Sequence, residues 1–355
     1  MKRIISVVLL LAMLSAIFAG VGFAETGVTG ESREFTDDTG RTVTVPAKID
    51  RIAVSGPLTQ IYVLPLCGEK MVGCANEFSY EAEKYISADI LALPSLGQLY
   101  GGKGTMDLEA LLAANPQIVV DVGEAKGSIA DDLDALTLQT GIPFVHIDAT
   151  VETSADAYRK LGGLTGDTEK AEALAVWCEN CLETVDDIMK RVDGDGVRKS
   201  LLYCLGDKGI NVLADKSYHA ETLNVVADNA AKLDDVVSSG LGNEVDMEQI
   251  MLWNPDVVIF APDSIYEEAK EDPIWNYLDA VKNGKVYETP FGPYGWLASP
   301  PSVQRYLGLV WLCALLYPDY CTYELEDVVT EYYELFYGYE LSHEDYMELV
   351  KYAMP

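Results

Sequence analysis

Short apolar runs alternate along the chain with stretches whose apolar residues recur every three or four positions. The runs fall at residues 52–55, 71–74, 118–122 and 143–147, and a second set falls at 201–205, 210–213, 257–260 and 286–289. Continuous apolar runs of this length predict strands buried on both faces. The helical stretches between them predict α/β units around mainly parallel sheets. Ahead of the first set, Phe35-Thr-Asp-Asp-Thr-Gly-Arg-Thr-Val-Thr-Val45 places two β-rich runs on either side of a Gly turn and predicts a hairpin. Between the two sets, residues 168–192 contain no Gly or Pro, and Ala171, Leu174, Ala175, Cys178, Leu182, Val185, Ile188 and Met189 keep helical spacing. Asp167 or Thr168 can cap this helix, and Gly194 and Gly196 stop it. It predicts a stiff rod of about 37 Å joining two α/β lobes.

The two halves also resemble each other. Asp107-Leu-Glu-Ala-Leu-Leu-Ala-Ala-Asn-Pro-Gln-Ile-Val-Val120 matches Asp246-Met-Glu-Gln-Ile-Met-Leu-Trp-Asn-Pro-Asp-Val-Val-Ile259. Each reads as a capped short helix, an Asn-Pro stop and a buried strand, so both lobes are expected to follow one plan.

At 355 residues, with 49% hydrophobic and 23% charged, the chain has enough apolar side chains for two cores, and wholesale disorder is excluded. Acidic residues number 57 against 25 basic, a net charge of −32. Such a chain repels phosphate backbones, so neither nucleic acid nor a polybasic membrane contact is expected. Lys2 and Arg3, the apolar run from Ile4 to Phe18, and Gly22 and Ala24 before a cut read as a signal peptide over residues 1–24. The apolar stretch is short for a retained anchor, and no Cys near the cut offers a lipid site. The mature chain is expected in the periplasm or at the cell surface. Of seven Cys, Cys67 with Cys74 and Cys313 with Cys321 are near enough in sequence to pair. Cys178-x-x-Cys181 lies within the helical pattern and lacks a second CxxC, so no resident metal is expected there.

The candidate chemistry is that of binding. Gly97-Gln-Leu-Tyr-Gly-Gly-Lys-Gly104 approaches a phosphate loop but has Gly104 where Ser or Thr would hold magnesium. It reads as a plain surface loop, or as a mobile loop that lets Tyr100 and Lys103 touch a ligand. Three His serve the whole chain: His146 at a strand end, His343 in the acidic tail, and His219 in Tyr218-His219-Ala-Glu221, opening a helix after a strand. That last position is where ligands bind in doubly wound lobes. In the segment Pro290-Phe-Gly-Pro-Tyr294-Gly-Trp296-Leu-Ala-Ser-Pro-Pro-Ser-Val-Gln-Arg305, Gly and Pro stiffen a loop that either presents Tyr294 and Trp296 or packs them inward. Aromatic faces with Arg305 suit a flat or chelated ligand bearing anionic groups. Lys103, Lys126, Lys208 and Lys216 fall near predicted strand ends and could form a local positive cleft.

Together these features resemble the class III (helical-backbone metal-receptor) solute-binding proteins of ABC importers for iron-siderophore, haem and cobalamin. The resemblance rests on Thr-Asp-Asp-Thr-Gly-Arg-Thr-Val-Thr-Val-Pro, Arg51-Ile-Ala-Val, the two Glu…Asn-Pro repeats, the 168–192 connector and Ala-Ser-Pro before the last core helix. It implies two Rossmann-like lobes with mainly parallel sheets, here at residues 25–167 and 193–355; the Tyr-rich acidic tail of the second, from 323, extends beyond the shorter members. It further implies cargo in the interlobe cleft and one Glu on each lobe, Glu109 and Glu248, docking on the permease. Some relatives carry a cleft Arg directly after Ala-Ser-Pro, where this chain has Pro301. The expected function is capture of a chelated metal (ferric siderophore, haem or corrinoid) by a monomer that serves a permease and its ATPase. No catalytic residue and no resident cofactor are expected. The competing expectations are an exported enzyme on a similar frame and a surface sensor. Against the enzyme, the chain has no G-x-S-x-G elbow and no H-E-x-x-H.

Overall fold

The structure is a computed structural model that describes residues 31–100, 105–237, 239–262, 264–298 and 300–355. The expected leader at 1–24 and Lys103 lie outside the described residues. The hairpin forms from Ser32–Thr36 and Thr42–Pro46, antiparallel, with Phe35 opposite Val43. Asp37 closes its turn by accepting from the Thr39 and Arg41 backbone N–H groups, both at 3.1 Å, and Gly40 supplies the left-handed residue at φ 83°.

Ile118–Gly123 is the central strand of the first lobe, parallel to Ile52–Val54 on one side and Phe144–Asp148 on the other. In the second lobe Val257–Phe260 lies likewise between two parallel neighbours, Ser200–Leu205 and Val286–Glu288. Asn211–Val212 and Asn243–Glu244 extend the second sheet antiparallel, so it is mainly but not wholly parallel. The run at 71–74 makes only isolated bridges, from Met71 to Ile52 and from Cys74 to Ser95. Gly73 lies between them, where a Cβ would stand 2.5 Å from Leu96, so the chain bends to seat that leucine.

The repeated segments fold alike. Asp107 caps the helix Leu108–Ala114 and Asp246 caps Met247–Trp253, and each helix ends on a left-handed Asn, Asn115 at φ 49° and Asn254 at φ 37°. Pro then turns the chain into a buried parallel strand of its lobe.

The connector is Thr168–Asp195, 28 residues, which is about 42 Å. It runs three residues past the expected end because Gly194 sits in open space and costs little. Gly196, at φ 66°, is the true stop. The helix is not a bare strut. Its face of Leu174, Cys178, Val185, Ile188 and Val192 is buried along Ser154–Thr165 and Arg305–Leu316. One apolar cluster therefore runs from the first lobe through the connector into the second, while smaller clusters fill the far face of each sheet. The apolar packing of the two lobes is thus continuous through the connector.

All seven Cys are free, six of them buried, so neither expected disulfide forms. The tail also departs from a simple reading. Leu325–Tyr337 packs on the first-lobe helix Pro57–Cys67, and Tyr85 of that lobe lies 5.1 Å from Tyr333 and 5.0 Å from Tyr339, ring to ring. Lys84 pairs with Asp345, which anchors the last helix, His343–Leu349, to the first lobe.

Candidate functional site

Parallel register brings the carboxyl ends of three strands to one edge of each sheet, and residues just beyond these edges hydrogen-bond between the lobes. Tyr218 Oη donates to the Ala149 carbonyl at 2.6 Å, just past the strand Phe144–Asp148. Glu221 Oε2 accepts from Val151 N at 3.2 Å, and Ser302 Oγ donates to the Leu58 carbonyl at 3.2 Å. Gly123, at φ 141°, ends the central strand. A Cβ there would stand 2.7 Å from Leu58 and 3.9 Å from Tyr218 Oη, so glycine keeps the two sides close.

Beneath Tyr218 lies a buried charge. Arg305 is 1% exposed, pairs with Glu221 at 2.6 Å, and donates to the Ser302 carbonyl and to Tyr218 Oη. Its guanidinium lies 4.8 Å from the Tyr218 ring centroid. Burial opposes the charge, but Tyr218, Tyr62 and Glu221 outweigh it and hold the pKa above the ordinary value. Burial in turn pushes the Tyr218 phenol up to about 12. The turn Tyr218–Ala220 is fixed by Ser217, whose Oγ accepts from His219 N.

The sequence candidates divide. Tyr218, His219 and Arg305 come together. Tyr100 is half-buried, and its hydroxyl donates to Asp132 at 2.8 Å. Tyr294 turns toward the first lobe, where it accepts from Gln60 at 3.1 Å. Trp296 is fully buried and offers no surface to a solute, and Arg305 is likewise covered. The aromatic loop is thus folded inward. Gly308 permits this, since a Cβ there would stand 2.3 Å from the Trp296 carbonyl oxygen. Nor do the three described lysines of the set build a positive cleft. Lys126 pairs with Glu124, Lys216 donates to the Leu233 carbonyl, and Lys208 is exposed in a turn.

Glu109 and Glu248 are both exposed in the first turns of the twin helices, one on each lobe. His146 is buried between Asp121 and Asp148, and His343 is exposed beside Glu326. Sequence reasoning missed Glu221 and Gly123. A lone Glu three residues after Tyr218 carries no signal of its Arg partner, and Gly123 was marked only by ending an apolar run. A separate hollow of about 550 Å³ lies beside the tail, lined by Tyr80, Tyr85, Phe291 and Tyr352 with Glu81, Glu348 and the Lys84–Asp345 pair.

Two α/β lobes in contact at their strand ends and joined by one packed helix are the architecture of a solute-binding protein. The family described as Periplasmic binding protein matches residues 60–293, and the chain belongs to that family. Its members bind solutes rather than turn them over, and they act outside the cytoplasm. No helix among the described residues is long and apolar enough to cross a membrane. An ABC transporter solute-binding protein from Sulfurospirillum deleyianum is 30% identical, with a TM-score of 0.81, covering 90% of this chain and 100% of that one. A periplasmic solute-binding protein from Veillonella parvula is 25% identical, with a TM-score of 0.74, covering 91% and 98%. Among curated proteins, the Fe(3+)-citrate-binding protein YfmC of Bacillus subtilis is 23% identical over 73% of this chain and 78% of its own length.

Proposed function

We propose that the chain is the extracytoplasmic receptor of an ABC importer, taking up a chelated metal in the interlobe gap and delivering it to a permease. The observation that carries this reading is the meeting of two parallel-sheet edges at Tyr218, with one packed helix as the joint. Direct hydrogen bonds between the lobes support a largely pre-formed gap, in which binding costs little reorganisation. The Bacillus relative supports a metal chelate as cargo. Of the sequence candidates, Tyr100, Tyr218 and His219 are the proposed contacts, together with Lys103, three positions after Tyr100 in the chain. Arg305 acts from behind by holding Tyr218 and Glu221 in place.

Glu109 and Glu248 are proposed to dock on basic residues of the permease, to which a cognate ATPase is coupled. Each carboxylate is favoured at a helix start and remains exposed for a partner. The receptor is proposed to work as a monomer. Mass spectrometry of protein purified from its host should recover a metal complex, and recovery of only a sugar or peptide would refute the cargo. Substituting Glu109 and Glu248 with Ala should abolish uptake and leave cargo affinity unchanged. Equal loss of both would make these residues parts of the pocket or the fold.

A further inference from the structure

The hollow beside the tail has walls from three distant parts of the chain. They are the short helical turn Tyr80–Lys84 of the first lobe, the end of the strand Val286–Glu288 of the second, and the last helix, His343–Leu349, with Tyr352. Its volume of about 550 Å³ suits a small organic molecule. The lining carries five carboxylates and one lysine. That lysine, Lys84, is engaged by Asp345 and holds the Asp345 carboxyl well below the usual carboxylate range. Lys351, outside the lining, reaches Glu348 at 3.7 Å. Glu81 and Glu83 are exposed on the first-lobe wall and have no ion pair among the described residues. An anionic chelate is repelled from such a surface, so the hollow is no second seat for the cargo proposed above. The rest of the lining is mostly aromatic and apolar, and Tyr80, 82% exposed, leaves its ring open to a ligand.

The chain itself places primary ammonium groups against this kind of surface. Lys84 Nζ lies 5.6 Å from the Tyr85 ring centroid and 5.9 Å from that of Tyr339 while it pairs with Asp345. Lys351 repeats the arrangement, 5.0 Å from the Tyr352 ring and paired with Glu348. Lys270 does so again, 4.1 Å from the Tyr266 ring and 2.8 Å from Glu267, and Tyr266 packs on Tyr352 at 5.3 Å. Around one hollow, an alkylammonium thus sits three times between a tyrosine face and a carboxylate.

We propose that the hollow is a second binding site, separate from the interlobe gap, for a linear aliphatic diamine or polyamine. The ammonium groups of the ligand pair with Glu81 and Glu83, and its methylenes lie along Phe291, Leu349 and Tyr80 as the stem of a lysine does. A bare metal ion fits less well. Among the described residues no group of three or more His, Cys, Asp or Glu could hold one, and aromatic walls give it no donor. The walls belong to both lobes and to the tail, so a bound amine ties the three together and raises the thermal midpoint. The proposal goes beyond the importer reading and does not depend on it.

The test is calorimetric titration of the full chain with spermidine and putrescine at low and at physiological salt. Magnesium chloride controls for charge alone and 1,4-butanediol for the methylene chain alone. Wild type is compared with the double variant Glu81→Gln/Glu83→Gln, with Tyr80→Ala, and with Asp186→Asn/Asp187→Asn, which removes the same charge from the exposed face of the connector. Spermidine should bind one per chain, at least about tenfold tighter than magnesium, and butanediol should not bind. The Glu81/Glu83 variant should lose about tenfold in affinity and Tyr80→Ala about threefold, while the connector variant keeps wild-type affinity. The inference is overturned if spermidine shows no saturable site, if magnesium binds as tightly, or if the connector variant loses as much as the Glu81/Glu83 variant. Displacement of spermidine by a metal complex recovered with the protein would put both ligands in the gap and overturn it as well. In each of these cases the importer reading stands, since it is decided by the cargo recovered from the host.

Discussion

His146 shows how much one side chain can carry. It is fully buried, with Nδ1 2.6 Å from Asp121 Oδ2 and Nε2 2.8 Å from Asp148 Oδ1, while its backbone N–H donates to Asp37. Burial pushes its pKa down, but the two carboxylates outweigh burial, and the net shift is upward. The remaining charges nearby are already engaged, Arg41 on Asp37 and Asp134 and Lys160 on Asp38, and the Ser55 hydroxyl donates to Asp121. An unfolded imidazole titrates near about 6.5. The stabilisation is therefore complete below that pH and is lost as pH rises through the higher folded value. Urea midpoints measured between about pH 6 and 9 should fall further for wild type than for His146→Gln, and parallel curves would show that no charge is held there. The strand ends that carry this network were legible in the sequence, but its pairing was not. The same holds for the solute site. Tyr294, Trp296 and Arg305 lie in a Pro- and Gly-rich segment where no periodicity tells which way a side chain turns, and the partner of Arg305 is 84 residues away.

At the scale of elements, apolar runs located every strand that is buried on both faces, because such strands need continuous hydrophobicity. Two-residue strands such as Asp228–Asn229 and Asn243–Glu244 owe their existence to a neighbour and left no pattern to find. The connector was legible from its stripe, and its end was misplaced only because a helix tolerates an exposed Gly. Gly308 is the opposite case, a helical glycine with no room to spare. Ala is the better helix former by about 1 kcal/mol, yet its Cβ would meet the Trp296 carbonyl oxygen at 2.3 Å, and backbone cannot swing aside as a side-chain tip can. Gly308→Ala is expected to destabilise the protein by about 1–3 kcal/mol despite that gain. An unchanged urea midpoint would mean that Arg305–Leu316 slides freely past the loop.

For the whole molecule, the two-lobed plan was readable from the repeated Glu…Asn-Pro segments, and the tail's destination was not. The amphipathic pattern of residues 325–337 says that one face must be buried, but not that Tyr333 and Tyr337 will reach the Gly292 carbonyl and Gln304 while Tyr332 stacks on Phe336 at 4.1 Å. Docking on the first lobe lets the tail tie both lobes, and the shared apolar cluster does the same from the connector side. All of this is achieved without a single crosslink between the seven thiols, six of which are shielded from solvent and whose pKa values burial pushes upward. Thermal midpoints with and without dithiothreitol should therefore coincide, and a drop on adding reductant would reveal a bridge. The consequence is a practical freedom. Maturation needs no thiol oxidase or disulfide isomerase, so the molecule can reach the same native state in a reducing compartment as in an oxidising one.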